Sequence, residues 1–308
     1  MRMLTGRRKR HASVFAAIFA IAAFSLAGAS AAPASADPHE KETQLFPGIR
    51  YEQKKVAKPT SARLHIVRIN LKEPGVRVVL SPGDNSKGME YVASLTTATL
   101  KERHAQLAIN ASFFHPWKPG SKGSNDFYPQ VGDPVNVTGM LLSGGKTVSP
   151  AETVADNRID SILCFKTGEA RILDGQQCPK GFSEGVAAGP RLITNGALRN
   201  SRLAIATGTH PRTAFAISRD HHTAWIIAVD GRQADSVGIA LSDLAAFLRS
   251  LGAWDAINLD GGGSTTLAVE GPDGLPRVLN TPIQSGVVGK ERPVANQILV
   301  FAPRQRAE

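Results

Sequence analysis

Two short strings, Asp230-Gly231-Arg232 and Asp260-Gly261-Gly262-Gly263-Ser264-Thr265, each set a carboxylate directly after an apolar run and before glycine. Short apolar runs read as strands, and a side chain just past a strand end leaves the core for whatever cleft the sheet edge forms. An aspartate placed there is a candidate general acid, general base or nucleophile. Three consecutive glycines cost backbone entropy unless the chain must turn tightly or something must approach it closely. On the glycines alone two readings stand. Either a ligand presses on the loop, or the loop is a tight hairpin whose aspartate caps its own turn.

The elements that must position these residues are mostly strands. Apolar runs recur at 64–71, 76–80, 106–114, 137–142, 159–165, 170–173, 191–194, 213–218, 223–229, 256–259, 265–269 and 296–301, with Gly, Asp or Asn between most of them. Helices are few: one over 91–103, and a clearer one over 241–251. In the second, Leu241, Leu244, Ala245, Leu248 and Leu251 share a face, and Gly252 closes it. Strand 223–229, that helix and strand 256–259 form a crossover that brings two strand ends to one sheet edge, so Asp230 and Asp260 are expected to be close neighbours. The expected fold is α/β (α+β): strand-rich mixed sheets with a few packing helices in one globular domain over 62–303. Residues 37–61 are expected to be a polar tether or irregular edge segment, and 304–308 a short tail.

Residues 1–36 have a basic start, an apolar run from Val14 to Leu26 too short to span a bilayer, and small residues ending at Ala36. They read as a secretory signal cleaved after Ala36, and the expected location is secreted or periplasmic, without stable membrane insertion. Five of the 36 basic residues and none of the 26 acidic ones fall in that segment, leaving 31 against 26. The 31 are scattered and form no stripe suited to a duplex, so no nucleic-acid partner is expected. An oxidising compartment lets Cys164 and Cys178 pair; two buried free thiols are the alternative. Gly145-Lys146-Thr147 ends like a phosphate-binding loop, but Met140 stands where its first glycine belongs.

The string Asn258 to Leu267, NLDGGGSTTL, with LGAWDA before it, closely resembles the signature of the phosphodiester glycosidase family. Other blocks resemble the family's in the same order: Asn110-Ala-Ser-Phe-Phe114; Gly189-Pro190 with Leu192 and Asn195-Gly196; Pro211-Arg212-Thr213-Ala214; Val229-Asp230-Gly231-Arg232; and Glu291-Arg292-Pro293-Val294-Ala295-Asn296. Ala111 and Ser112 stand where the family has two glycines, a departure that bears on substrate size. The resemblance implies a hydrolase that cleaves the glycosidic bond of a sugar 1-phosphodiester. A phosphate monoester leaves as a stable anion, so such a site needs cations for the phosphate more than a strong acid for the leaving oxygen. In that scheme Asp260 and Asp230 are the catalytic carboxylates. Arg212 and Arg292 are guanidinium forks for the phosphate, Arg292 having Glu291 as a plain alternative partner. Asn110, Ser264 and Thr265 are hooks for sugar hydroxyls, and the amides of Gly261, Gly262 and Gly263 are donors to an anion. No cofactor is expected, and two aspartates without a fixed ligand spacing leave a divalent cation open. The expected partner is a phosphorylated glycan; a non-catalytic envelope protein that binds one is the competing reading.

Overall fold

The computed structural model describes residues 42–115, 128–151 and 157–304; residues 1–36, read above as a secretory signal, lie outside the described residues. Its largest sheet has eight strands in the order Thr43–Phe46, Ile49–Val56, Ala62–Asn70, Thr223–Val229, Arg212–Ile217, Asp255–Asn258, Arg191–Thr194 and Ala197–Leu198. Every neighbouring pair is antiparallel. Strands Thr223–Val229 and Asp255–Asn258 therefore run parallel to each other with Arg212–Ile217 between them, and helix Leu241–Ser250 is the crossover that joins them.

Side chains alternate across this sheet, so each strand serves two cores. On one face Leu64, Ile66, Ala214, Ala216, Ile227 and Val229 pack against Leu241, Leu244, Ala245 and Leu248 of the helix. The helix stops where the apolar pattern does: the amide of Gly252 donates to Arg249 O (3.0 Å) and that of Ala253 to Leu248 O (3.2 Å), the paired bonds of a Schellman closure. On the other face Val67, Ile69, Phe215, Ile217, Ile226 and Ile257 meet residues of two five-stranded sheets, among them Ile109, Leu267 and Ile298 from one and Leu163, Phe165 and Val186 from the other. Phe165 and Phe215 touch edge to face, centroids 5.2 Å apart. Burying one such ring fully is worth about 1.5–3 kcal/mol. The described residues form one compact unit, the single mixed-sheet domain expected.

Three expectations need correction. The segment read as a tether supplies two strands, and Ile49–Val56 pairs with Ala62–Asn70 along its whole length. The cause of the misreading is its surface: Glu52, Lys54 and Lys55 dilute the apolar signal on a sheet margin, where such charge discourages further strands from adding. The helix expected over 91–103 begins only at Thr96, because Tyr91–Val92 pairs with Pro134–Val137. The run 137–142 is divided between Pro134–Val137 and Leu141–Ser143, which belong to different sheets. Cys164 and Cys178 are joined, with Cα atoms 5.8 Å apart. Among the described residues no helix is long and apolar enough to cross a membrane.

Candidate active site

Both predicted aspartates follow strands that end at the same sheet edge, at the Arg212 end of the strand between them. With strands about 4.8 Å apart, the two strand axes are about 10 Å from each other. Parity then separates the side chains. Arg212 lies opposite Val229 and Ala214 opposite Asn258, and paired residues point to one face. One residue beyond Val229, Asp230 faces the inter-sheet core; two residues beyond Asn258, Asp260 shares the Arg212 face.

Asp230 is wholly buried. Its Oδ1 accepts from the Thr281 amide (2.7 Å) and Asn280 Nδ2 (3.3 Å), and its Oδ2 from His65 Nε2 (3.1 Å) and an Arg63 terminal nitrogen (3.3 Å). Beyond it, Tyr51 Oη and His65 Nδ1 are 2.8 Å apart. Burial and the nearby Asp230 carboxylate push the Tyr51 phenol up to about 12. The expectation that Asp230 pairs with Asp260 in one cleft is corrected: Asp230 is an internal clamp tying the Asp-Gly-Arg turn to strand Ala62–Asn70 and to residues 280–281.

Asp260 lies in a cavity of about 190 Å³ lined by Phe113, Tyr128, His210, Arg212, Arg232, Arg292 and the three glycines, among others. Its peptide is fixed on both sides: its amide donates to Ala111 O (3.0 Å), and its carbonyl accepts from Asn110 Nδ2 (2.6 Å). Asn110 Oδ1 in turn accepts from Thr213 Oγ1 (3.0 Å) and the Thr266 amide (3.2 Å). Asn110 is thus wholly buried beneath the loop and not a hook for a sugar hydroxyl. Thr265 is buried there too, its hydroxyl 3.4 Å from that of Thr213.

Burial raises the Asp260 carboxyl above the usual carboxylate range, against the opposing pull of a Ser264 hydrogen bond and of the Arg292 and Arg158 charges. Ser264 also accepts from a terminal nitrogen of Arg292 (3.2 Å), whose Nε donates to Gln284 Oε1 (2.6 Å) and whose guanidinium lies 3.8 Å from the Tyr128 ring centroid. Two of the glycines have distinct causes. Gly262 sits at φ 62°, in the left-handed region. Gly263 leaves room for Arg292, because a β-carbon there would overlap the guanidinium. A close approach to the loop does occur, and it is made by the protein's own arginine.

Arg212 is nearly buried and held by backbone oxygens: Nε donates to Ile239 O (3.0 Å), one terminal nitrogen to Ile205 O (2.8 Å) and Gly208 O (2.6 Å). Burial, with the neighbouring Arg232, lowers it to about 10. His210 also lines the cavity, and burial with the charges of Arg212 and Arg232 holds its imidazole below the ordinary histidine value. His210, Tyr128 and Arg232 are cavity residues that the sequence did not single out. Only Arg232 had a signal, as the last residue of its block; the other two are isolated in sequence. Ala111 and Ser112 lie buried under the loop, the Ser112 hydroxyl bonded to Asn296 Nδ2 (3.0 Å), and neither lines the cavity. A larger cavity of about 690 Å³, bounded by Pro82, Glu90, Asn136 and Lys146 among others, contains none of the predicted residues. No group of three or more His, Cys, Asp or Glu among the described residues is placed to hold a metal ion.

Known proteins share this fold. The fold is similar to a hypothetical protein from Synechocystis (18% identity, TM-score 0.56, covering 87% of this chain and 64% of that one). It is also similar to the catalytic domain of zebrafish N-acetylglucosamine-1-phosphodiester α-N-acetylglucosaminidase, auto-inhibited by its pro-peptide (17% identity, TM-score 0.57, covering 87% and 85%). In sequence the chain is similar to the SPbeta prophage-derived uncharacterized protein YomE of Bacillus subtilis, 26% identical over 194 residues, and it spans 27% of that relative's length. The phosphodiester glycosidase family model matches residues 103–301, which include Asp260, its glycine loop and every cavity arginine, and the chain belongs to that family.

Proposed function

We propose that this protein is an exported hydrolase that cleaves the glycosidic bond of a sugar 1-phosphodiester, such as N-acetylglucosamine 1-phosphate joined to a glycan or wall polymer. One observation carries the reading: a single carboxyl, raised by burial, lies in a small cavity whose wall is rich in arginine. The cations suit a departing phosphate, which needs charge neutralised more than a proton delivered. Asp260, poised nearer neutrality than a free carboxyl, serves the sugar side, either activating water or stabilising positive charge at the anomeric carbon. His210 on the same wall, held below the ordinary histidine value, is a second group that can accept a proton from that water. Asn110 and Ala111 hold the Asp260 peptide, and Ser264 orients its carboxyl. The signal-like segment 1–36 supports a secreted or periplasmic location, and the scheme calls for no cofactor.

Hydrolysis in isotopically labelled water tests it. Cleavage at the sugar carbon puts the label in the sugar, whereas attack at phosphorus puts it in the phosphate and overturns the glycosidase assignment. A panel of sugar 1-phosphodiesters, each run with and without chelator, checks substrate range and metal dependence together. Tight binding without turnover of any member favours the non-catalytic glycan-binding reading.

A further inference from the structure

Three guanidinium groups line the cavity, and they differ in what holds them. Arg212 commits its Nε and one terminal nitrogen to three backbone carbonyls. Arg292 is held by Gln284 and Ser264 and lies over Tyr128. The Arg232 side chain is exposed and makes no hydrogen bond or ion pair among the described residues. Its backbone stands at φ 59°, a left-handed conformation that a β-carbon disfavours.

The neighbourhood enforces that conformation. The Arg232 amide donates to Val237 O (3.2 Å), and Gln233 and Ser236 exchange backbone hydrogen bonds (3.0 and 3.2 Å). Ser236 Oγ donates to Asp230 O (2.8 Å), just ahead of the turn. The four donors on the Asp230 carboxylate fix the base from which the turn springs. The result projects a guanidinium across the glycine loop: a β-carbon on Gly262 would stand 3.2 Å from one of its terminal nitrogens. A strained residue, rigidly supported, with its charge left open beside a cavity, is built to meet something outside the chain.

We infer that Arg232 is the residue that recognises the phosphate of the substrate and so makes the cavity selective for phosphorylated glycosides. The inference rests on the function proposed above and reassigns the phosphate fork, expected at Arg212 and Arg292, to a neighbour whose donors are uncommitted. A planar, two-pronged donor suits a phosphate diester, whose two non-bridging oxygens accept in parallel. Arg212 and Arg292 then act as positioning residues that shape the wall.

The test separates this inference from the hydrolase reading by measuring anion binding and turnover independently. Inorganic phosphate is titrated into the purified protein by calorimetry or phosphorus NMR, and kcat/KM is measured on a methyl phosphodiester of N-acetylglucosamine 1-phosphate. Arg232→Ala and Arg232→Gly are expected to weaken phosphate binding about 10- to 100-fold, as for lost charge-assisted hydrogen bonds, with Arg232→Lys between them and wild type. Arg232→Gly is also expected to keep or raise the thermal midpoint, because glycine relieves the left-handed backbone. Arg219→Ala removes the same charge from the far end of the sheet, where that guanidinium lies 4.7 Å from the Trp254 ring, and leaves binding unchanged. Phosphate bound by Arg232→Ala as tightly as by wild type, or not bound by wild type at all, overturns the inference. Turnover in wild type that survives intact in Arg232→Ala also overturns it while leaving the hydrolase reading in place. Phosphate binding that depends on Arg232, without hydrolysis of any sugar 1-phosphodiester, sinks the hydrolase reading and keeps the anion site.

Discussion

Asp230→Asn distinguishes a structural clamp from a catalytic carboxylate. Each carboxylate oxygen accepts two donors: the Thr281 amide and Asn280 Nδ2 on one, His65 Nε2 and an Arg63 nitrogen on the other. Asparagine keeps the size but offers one acceptor oxygen, so its amide nitrogen must face two donors with donors of its own. Each buried donor left unmatched costs about 1–3 kcal/mol. Removing one side of a buried charged cluster costs about 3–5 kcal/mol, so the two routes agree on roughly 3–5 kcal/mol. At about 2–4 °C per kcal/mol for a domain of this size, the thermal midpoint falls by about 6–20 °C. The assay is paired: a melting curve, and kcat/KM at a temperature where the variant is still folded. There the folded fraction is expected to keep most of its chemistry, because Asp230 does not line the cavity and the Arg232 turn keeps its bonds to Val237 O and, through Ser236, to the Asp230 carbonyl. An unchanged midpoint with a loss of about 10²-fold in kcat/KM would refute the clamp and return Asp230 to the catalytic role its motif suggests.

Asp260→Asn is expected to lower kcat/KM by about 10²-fold or more, the scale of a positioned acid or base; near wild-type turnover removes Asp260 from the mechanism. Because burial raises its carboxyl, the acidic limb of the wild-type rate profile should lie above the ordinary carboxylate range and vanish in the variant. The stability sign follows: a raised folded-state value makes this group's contribution full below the unfolded value and lost as pH rises through the folded one. Asp260→Asn should therefore gain stability over wild type at neutral pH, with the gain fading toward about pH 4; a gain that grows on acidification contradicts it. Gly263→Ala places a methyl against the Arg292 guanidinium and should cost about 1–3 kcal/mol by overpacking while depressing turnover; neutral behaviour in both would show that Arg292 has room to yield. Opening the Cys164–Cys178 link across its 14-residue separation by replacing both with serine should cost about 3 kcal/mol, read as a lower urea midpoint that reductant no longer shifts.

How far the sequence spoke depended on which property each residue carries. Thr223–Val229 and Arg191–Thr194 were legible to the residue, because apolar and β-branched runs mark buried strands. Strand Glu184–Ala188 escaped although it lies between Leu141–Ser143 and Ser161–Lys166, since Gly185, Ala187 and Ala188 carry little strand signal and the burial comes from its neighbours. Strand Ile49–Val56 escaped for the opposite reason, being too charged. At the site, Asp260 and its loop were legible from composition and motif. The separation of Asp230 from it was not, because the sequence places a residue at a sheet edge without counting the parity that turns its side chain inward. His210 and Tyr128 reach the cavity through tertiary folding alone, and no local pattern announces either.

The bond from Asn110 to the Asp260 carbonyl joins residues 150 positions apart, and the same asparagine accepts from Thr213 and Thr266 at separations of 103 and 156. Closing such large loops is slow, and topologies built on non-local pairing fold late and cooperatively. The cavity therefore cannot exist in a chain that is still emerging or only partly collapsed, since the peptide carrying Asp260 has nothing to set its direction until strand Leu107–Asn110 is in place beside Leu267–Glu270. Recovery of turnover on refolding should then trail the return of helical signal and coincide with the final slow phase, which makes catalysis itself a clock for completion of the fold.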